Sequence, residues 1–185
     1  MPHHRKPFFM PFINVEIKAR CRNANVIRNY LQLHHAEYKG TDNQTDTYFN
    51  VIKGRLKLRE GNIENNLIYY QRENKTGPKD SKFQLMKITD PVSLKEILIH
   101  AIGIKTIVQK NREIYFIKNV KFHIDIVPGL GNFVEIEAGN ILADLSKEQL
   151  QEQCDYYLNE FGIQQEDLIA ESYSDLLLRK GLTTL

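Results

Sequence analysis

The sequence predicts an α+β domain in which an antiparallel sheet curls, turns its charged face inward and carries helices on its outside. Three observations point there. Strand-period segments dominate the 185 residues. Short turn signals separate several of them, which implies hairpins and antiparallel pairing. Along those segments charged and apolar residues alternate, as in Arg55-Leu56-Lys57-Leu58-Arg59, so each strand has an ionic face and an aliphatic one.

Taken in order, residues 1–12 form a lead-in whose Phe8-Phe9-Met10 patch is broken by Pro7 and Pro11. It lacks the long apolar region of a signal peptide and reads as a flexible segment ahead of one domain, 13–185. The first strand, Ile13–Cys21, puts Asn14, Glu16, Lys18 and Arg20 on one face and Val15, Ile17 and Ala19 on the other. A helix over Ala24–Leu33 follows from the spacing of Val26, Ile27, Tyr30 and Leu31. Strands are expected at Thr45–Val51, Gly54–Glu60, Asn66–Glu73 and Phe83–Ile88, divided by Lys53-Gly54, Gly61-Asn62 and Gly77-Pro78. Asp90 as N-cap with Pro91 behind it opens a second helix that ends at Gly103. Strands at Ile104–Asn111, Arg112–Phe116, Val120–Val127 and Asn132–Gly139 come next. Ser146 with Gln149 fits a capping box for a third helix that stops at Gly162, and Tyr173–Arg179 closes the chain as a fourth.

The charged faces recur with both signs. Arg55, Lys57 and Arg59 share a face, as do Lys110 and Arg112, His123 and Asp125, and Glu135 and Glu137; Arg72 shares one with Ile68 and Tyr70. A single such strand reads as one wet face of an ordinary sheet. The recurrence, against dense aliphatics that need a cover, favours a curled sheet whose ionic side chains meet inside. Burying cations alone is unfavourable, and carboxylates or a polyanionic ligand offset it. Glu16, Asp125, Glu135 and Glu137 are hard oxygen donors suited to Mg²⁺ or Mn²⁺. Cations for phosphates beside carboxylates for a divalent ion are what triphosphate chemistry requires.

The totals set limits. A formal net charge of +2 does not announce a nucleic-acid binder. No apolar run reaches the ~18 residues of a membrane span. Cys21 and Cys154 have no metal-ligand spacing and read as free thiols in a reducing cytoplasm. The six histidines have no zinc spacing, and no phosphate-binding glycine loop or nucleophile elbow is found. Lys75, Lys79 and Lys82 around Gly77-Pro78 form either a solvated hairpin loop or one that closes over phosphates. His34-His35 end a helix, and His123 on the inner face is a candidate base. Tyr48 and Tyr70 are strand and core material that could also meet a base or sugar.

An ordered set of short motifs resembles one family. Asn14-Val15-Glu16-Ile17-Lys18, Asp46-Thr47-Tyr48-Phe49, Leu56-Lys57-Leu58-Arg59 and Lys110-Asn111-Arg112 come first. Phe122-His123-Ile124-Asp125, Gly129-Leu130-Gly131-Asn132-Phe133-Val134-Glu135-Ile136-Glu137 and Ser172-Tyr173-Ser174-Asp175-Leu176-Leu177 follow. Together they are similar to the triphosphate tunnel superfamily, the CYTH group of class IV adenylyl cyclases and thiamine triphosphatases. The resemblance implies an eight-stranded antiparallel closed barrel. In it Lys18, Lys57, Arg59, Arg72, Lys110 and Arg112 would grip the phosphates, and Glu16, Glu135, Glu137 and Asp125 would serve one or two divalent ions. Asn14 stands where the family's first motif glutamate belongs, which puts a second metal in doubt.

The expected activity is cyclisation of ATP to cyclic AMP and pyrophosphate, with hydrolysis of an inorganic, thiamine or nucleoside triphosphate as the alternative. A non-catalytic phosphate-binding module, or RNA binding along a basic surface, are the readings from other classes; carboxylates on the same faces argue against RNA. The partner is a small triphosphate, not nucleic acid or a membrane, and monomer and homodimer both remain open.

Overall fold

The computed structural model describes residues 14–71, 79–80, 82–140 and 144–182. Among the described residues nine strands form one sheet: β1 (Asn14–Arg20), β2 (Glu37–Phe49), β3 (Arg55–Glu60), β4 (Asn66–Gln71), β5 (Lys79–Asp80), β6 (Lys82–Lys87), β7 (Ile104–Ile117), β8 (Val120–Val127) and β9 (Gly131–Gly139). Four helices accompany it: α1 (Ala24–Leu33), α2 (Pro91–Ile102), α3 (Lys147–Glu160) and α4 (Tyr173–Arg179). Among the described residues no helix is long and apolar enough to cross a membrane.

The strand order is β5-β1-β9-β8-β7-β2-β3-β4-β6, with every pairing antiparallel. The closed eight-stranded barrel is therefore corrected to a curled, open half-barrel of nine strands. The reason lies in β5 and β6, which stand one residue apart in the chain. Among the described residues of β5 and β6, Asp80 and Lys79 pair with β1, opposite Val15 and Glu16, and Lys82–Lys87 pair with β4. The two ends of the order are thus neighbours in the chain, with no ladder between them among the described residues.

The expected strand bounds also change. Ile104–Asn111 and Arg112–Phe116 are one strand of 14 residues, because no turn residue separates them and β2 pairs along the same length. In turn β2 starts at Glu37, well before the expected Thr45. Its first half, Glu37 to Gln44, is poor in β-branched residues and is held by its pairing with β7.

Parity decides which face is outside. Val15, Ile17 and Ala19 of β1, Phe122 and Ile124 of β8, and Val134 and Ile136 of β9 are fully buried in one cluster. Ile27 and Leu31 of α1, Leu150 and Cys154 of α3, and Phe161 just beyond it complete that cluster. Burying a side chain of this size contributes about 1.5–3 kcal/mol, so the aliphatic face is forced under the helices and the ionic face turns to the concave side. Caps fix where the helices begin. Asp90 accepts from the Ser93 amide at 3.1 Å with Pro91 at the first turn, and Ser146 and Gln149 form the expected capping box of α3. Ser172 and Asp175 form another at α4, which the sequence reading did not identify.

Candidate functional site

The concave face encloses a cavity of ≈160 Å³. Strand register builds its wall. Antiparallel pairing sets Lys18 of β1 opposite Glu135 of β9, and Glu135 opposite His123 of β8. One step along, Glu16 faces Glu137 and Glu137 faces Lys121. Across the sheet, Arg112 of β7 faces Asp125, and Asp46 of β2 faces Arg59.

Asp46 is the hub of one half. Its carboxylate accepts from Lys57 Nζ at 2.9 Å, Lys110 Nζ at 2.7 Å and Arg59 Nε at 2.9 Å. Burial opposes its ionisation, but Arg59, Lys110 and Lys57 outweigh this and hold the carboxyl well below the usual range. Lys110 moves the other way. Burial pushes its ammonium down to about 7; Asp46 resists, while Arg59, Arg112 and Lys57 repel the added charge. Lys57 also lies 5.5 Å from the centre of the Tyr48 ring and 5.8 Å from that of Tyr70.

Glu135 anchors the other half. It takes Lys18 at 3.2 Å, Arg112 at 2.7 Å and His123 Nδ1 at 3.2 Å. Burial works against its charge, yet Arg112 and Lys18 keep its carboxyl well below the ordinary value. Arg112 presents a second edge to Asp125, with contacts of 2.7 and 2.5 Å. The Tyr173 hydroxyl donates to Asp125 at 2.7 Å, and its ring lies 4.0 Å beneath Lys18 Nζ. Tyr173 belongs to α4, whose Leu176 and Leu177 pack with Tyr48, Tyr70, Val108 and Phe133 at one end of the bore.

A divalent cation has a matching donor set here. His123, Glu135 and Glu137 bring one ligand atom each to within 4.8 Å of one another. His123 Nδ1 stands 3.5 Å from Glu137, while its Nε2 is buried with no hydrogen-bond partner. Burial and Arg112 lower the tendency of this imidazole to protonate, which favours the neutral form a metal needs. The two carboxylates suit Mg²⁺ or Mn²⁺, whereas an imidazole nitrogen suits softer divalent ions.

Of the residues expected from sequence, Lys18, Lys57, Arg59, Lys110, Arg112, Glu16, Glu135 and Glu137 all line this cavity, together with Asn14. Asp125 is fully buried behind Arg112, engaged by the guanidinium and Tyr173, and stands outside the three-residue donor cluster. Arg72 lies outside the described residues, as do Lys75, Gly77, Pro78 and Ser81 of the neighbouring loop and the lead-in at 1–12.

Sequence reading missed Asp46, Glu64, Lys121 and Tyr173, and it did not place His123 among metal ligands. Lys121 was legible, since it shares parity with His123 and Asp125. Asp46 and Tyr173 sat inside quoted motifs, but nothing local shows that they point inward. Glu64 lies on a turn, where no periodicity speaks; it joins Arg59 at 2.8 Å and Lys121 at 2.7 Å.

The CYTH domain family model matches residues 13–173. A putative adenylate cyclase, MJ0240 of Methanocaldococcus jannaschii, is 28% identical over 182 residues, covering 89% of this chain and 98% of the relative. Among solved structures, the PH1012 protein of Pyrococcus horikoshii OT3 superposes with a TM-score of 0.75 at 22% identity, covering 88% of this chain and 98% of that one. HpAC1 of Hippeastrum is described as a putative adenylyl cyclase with a dominant triphosphatase activity. It superposes with a TM-score of 0.62 at 16% identity, covering 93% and 97% of the two chains.

Proposed function

Because the chain belongs to the CYTH domain family, we propose that it is a metal-dependent enzyme acting on a triphosphate held in the bore, with ATP cyclisation as its reaction. One observation carries this. Lys18, Lys57, Arg59, Lys110 and Arg112, from three strands, converge on one cavity beside the carboxylate–imidazole cluster.

In this reading phosphate oxygens take over the bonds that Asp46 and Glu135 now accept. Arg59 and Arg112 offer planar two-donor edges, and Lys18, Lys57 and Lys110 add compact charges. These groups are pre-aligned, so negative charge growing on the transferring phosphoryl group meets donors already in place. Glu135, Glu137 and His123, with Glu16 paired across from Glu137, would hold Mg²⁺ or Mn²⁺. When bound, the ion supplies further positive charge at the phosphoryl oxygens. Asn14 adds an amide oxygen and no charge, which suits one metal better than two. For cyclisation the ribose 3′ hydroxyl attacks the α-phosphorus and pyrophosphate leaves. The identity with a relative named as a putative adenylate cyclase supports this choice.

Hydrolysis is the second reading, and a specific observation favours it. A cavity of ≈160 Å³ is below the ~300–1,000 Å³ of typical small-molecule pockets. It suits a phosphate chain better than a whole nucleotide, which leaves the terminal phosphorus open to water. The free, buried thiols Cys21 and Cys154 are in keeping with the cytoplasm for either reaction. Purified protein is to be incubated with ATP, tripolyphosphate or thiamine triphosphate, each with Mg²⁺ and with Mn²⁺. Cyclic AMP supports cyclisation and orthophosphate supports hydrolysis. Tight binding without product leaves a phosphate-binding module, and no binding rejects the proposal.

A further inference from the structure

We propose that Glu64 sets the length of the phosphate chain the bore accepts, by holding a fixed negative charge across its mouth; the inference rests on the triphosphate reading above. Glu64 sits on no strand. It lies in the turn between β3 and β4, yet its carboxylate reaches Arg59 Nη1 at 2.8 Å, Gln44 Nε2 at 3.1 Å and Lys121 Nζ at 2.7 Å. Arg59 belongs to β3 and Lys121 to β8, with β7 and β2 between them in the sheet order. The contact therefore spans the concavity instead of following the wall.

Its place along the bore follows from the β3–β4 hairpin. The start of β3 is tied to α4, because Arg55 donates to Asp175 at 2.8 Å. The turn bearing Glu64 lies at the far end of the same strand. Tyr173 and α4 thus occupy one end and Glu64 the other.

The turn that carries the carboxylate is also held in position. Asp42, fully buried, accepts from the backbone amides of Ile63 at 2.9 Å and Glu64 at 3.0 Å, and from Gln44 Nε2 at 2.7 Å. The turn runs so close to Asp42 that a Cβ on Gly61 would fall 2.5 Å from Oδ1. Moving the turn away would strip those backbone hydrogen bonds from buried Asp42, which is unfavourable. A phosphate chain laid along Lys57, Lys110 and Arg112 therefore ends at a standing anion. A further phosphate group there is repelled and finds Arg59 Nη1 and Lys121 already engaged by Glu64, whereas a neutral substituent is not repelled.

Isothermal titration of the full chain in EDTA, with tripolyphosphate and tetrapolyphosphate as the probes, tests this. Wild type is expected to prefer tripolyphosphate by about tenfold or more, the scale of one like-charge contact at a protein surface. Glu64→Gln is expected to bring the two affinities within about threefold. Lys121→Gln, which leaves the Glu64 charge less compensated, should widen the preference, so the proposal stays testable even where the first variant does not fold. Tripolyphosphate binding by wild type with the same preference in both variants would overturn the role of Glu64 alone. Failure of wild type to bind tripolyphosphate would instead overturn the triphosphate reading, and this inference with it.

Discussion

Replacing Asp46 by asparagine keeps the shape of the bore and removes the charge that three cations share. Lys110, Lys57 and Arg59 stand 2.7, 2.9 and 2.9 Å from its oxygens. At an effective dielectric near 20 each contact is worth ~6 kcal/mol before desolvation. Desolvation takes back most of that, and breaking a buried ion pair by removing one partner destabilises by about 3–5 kcal/mol. For a chain of this length such a loss lowers the melting temperature by roughly 6–20 °C. Thermal denaturation at pH 7, followed by circular dichroism, measures it. Adding tripolyphosphate should then raise the melting temperature of Asp46→Asn more than that of wild type, because the anion replaces the missing carboxylate. A variant that melts within about 2 °C of wild type, with no larger response to the anion, would refute the view that Asp46 holds the cation array together.

Other outcomes follow from the same geometry. The unfolded chain keeps a proton on Lys110 up to its ordinary value near 10.5, whereas the folded chain releases it near 7. Between these the unfolded state binds more protons, so stability rises with pH from about 7 to about 10.5 and is unaffected by this group below; urea midpoints should climb over that window and lose the slope in Lys110→Met. Arg112→Lys gives up the two-edged contact with Asp125 and Glu135 and should weaken tripolyphosphate binding by ~1.5–3 kcal/mol in titration calorimetry. Glu137→Gln should weaken Mn²⁺ binding by roughly tenfold or more by electron paramagnetic resonance, while leaving the fold intact, and chelation should stop turnover. Leu150→Ala, in the core beneath α3, should cost about 2–5 kcal/mol of stability with no change in anion preference.

Much of the site was written in strand parity. Lys18, Lys57, Glu135 and Glu137 each stand between aliphatics, Arg59 follows Leu58, and Lys110 and Arg112 share one parity although their neighbours are polar; a side-chain period of two residues puts each set on one face. The caps at Asp90 and Ser146 were equally local, since a cap is satisfied within a few residues. By contrast, β2 before Thr45 and the unbroken β7 had no local signal. Their backbone hydrogen bonds are satisfied by each other, over a separation that neither segment reveals.

The sequence by itself therefore determined the class of the domain and the ionic face of the strands that alternate with aliphatics, because burying the aliphatic parity admits only one orientation of each. Tertiary structure alone decided the rest. Register paired Lys18 with Glu135 and made Asp46 the counter-ion of three cations, and a turn clamped by Asp42 carried Glu64 across the mouth. It also left the curled sheet open between β5 and β6, the two ends of the strand order. The physical reason is range. Parity is a property of neighbours in the chain, whereas partners in an ion-pair network are chosen by which strands lie side by side.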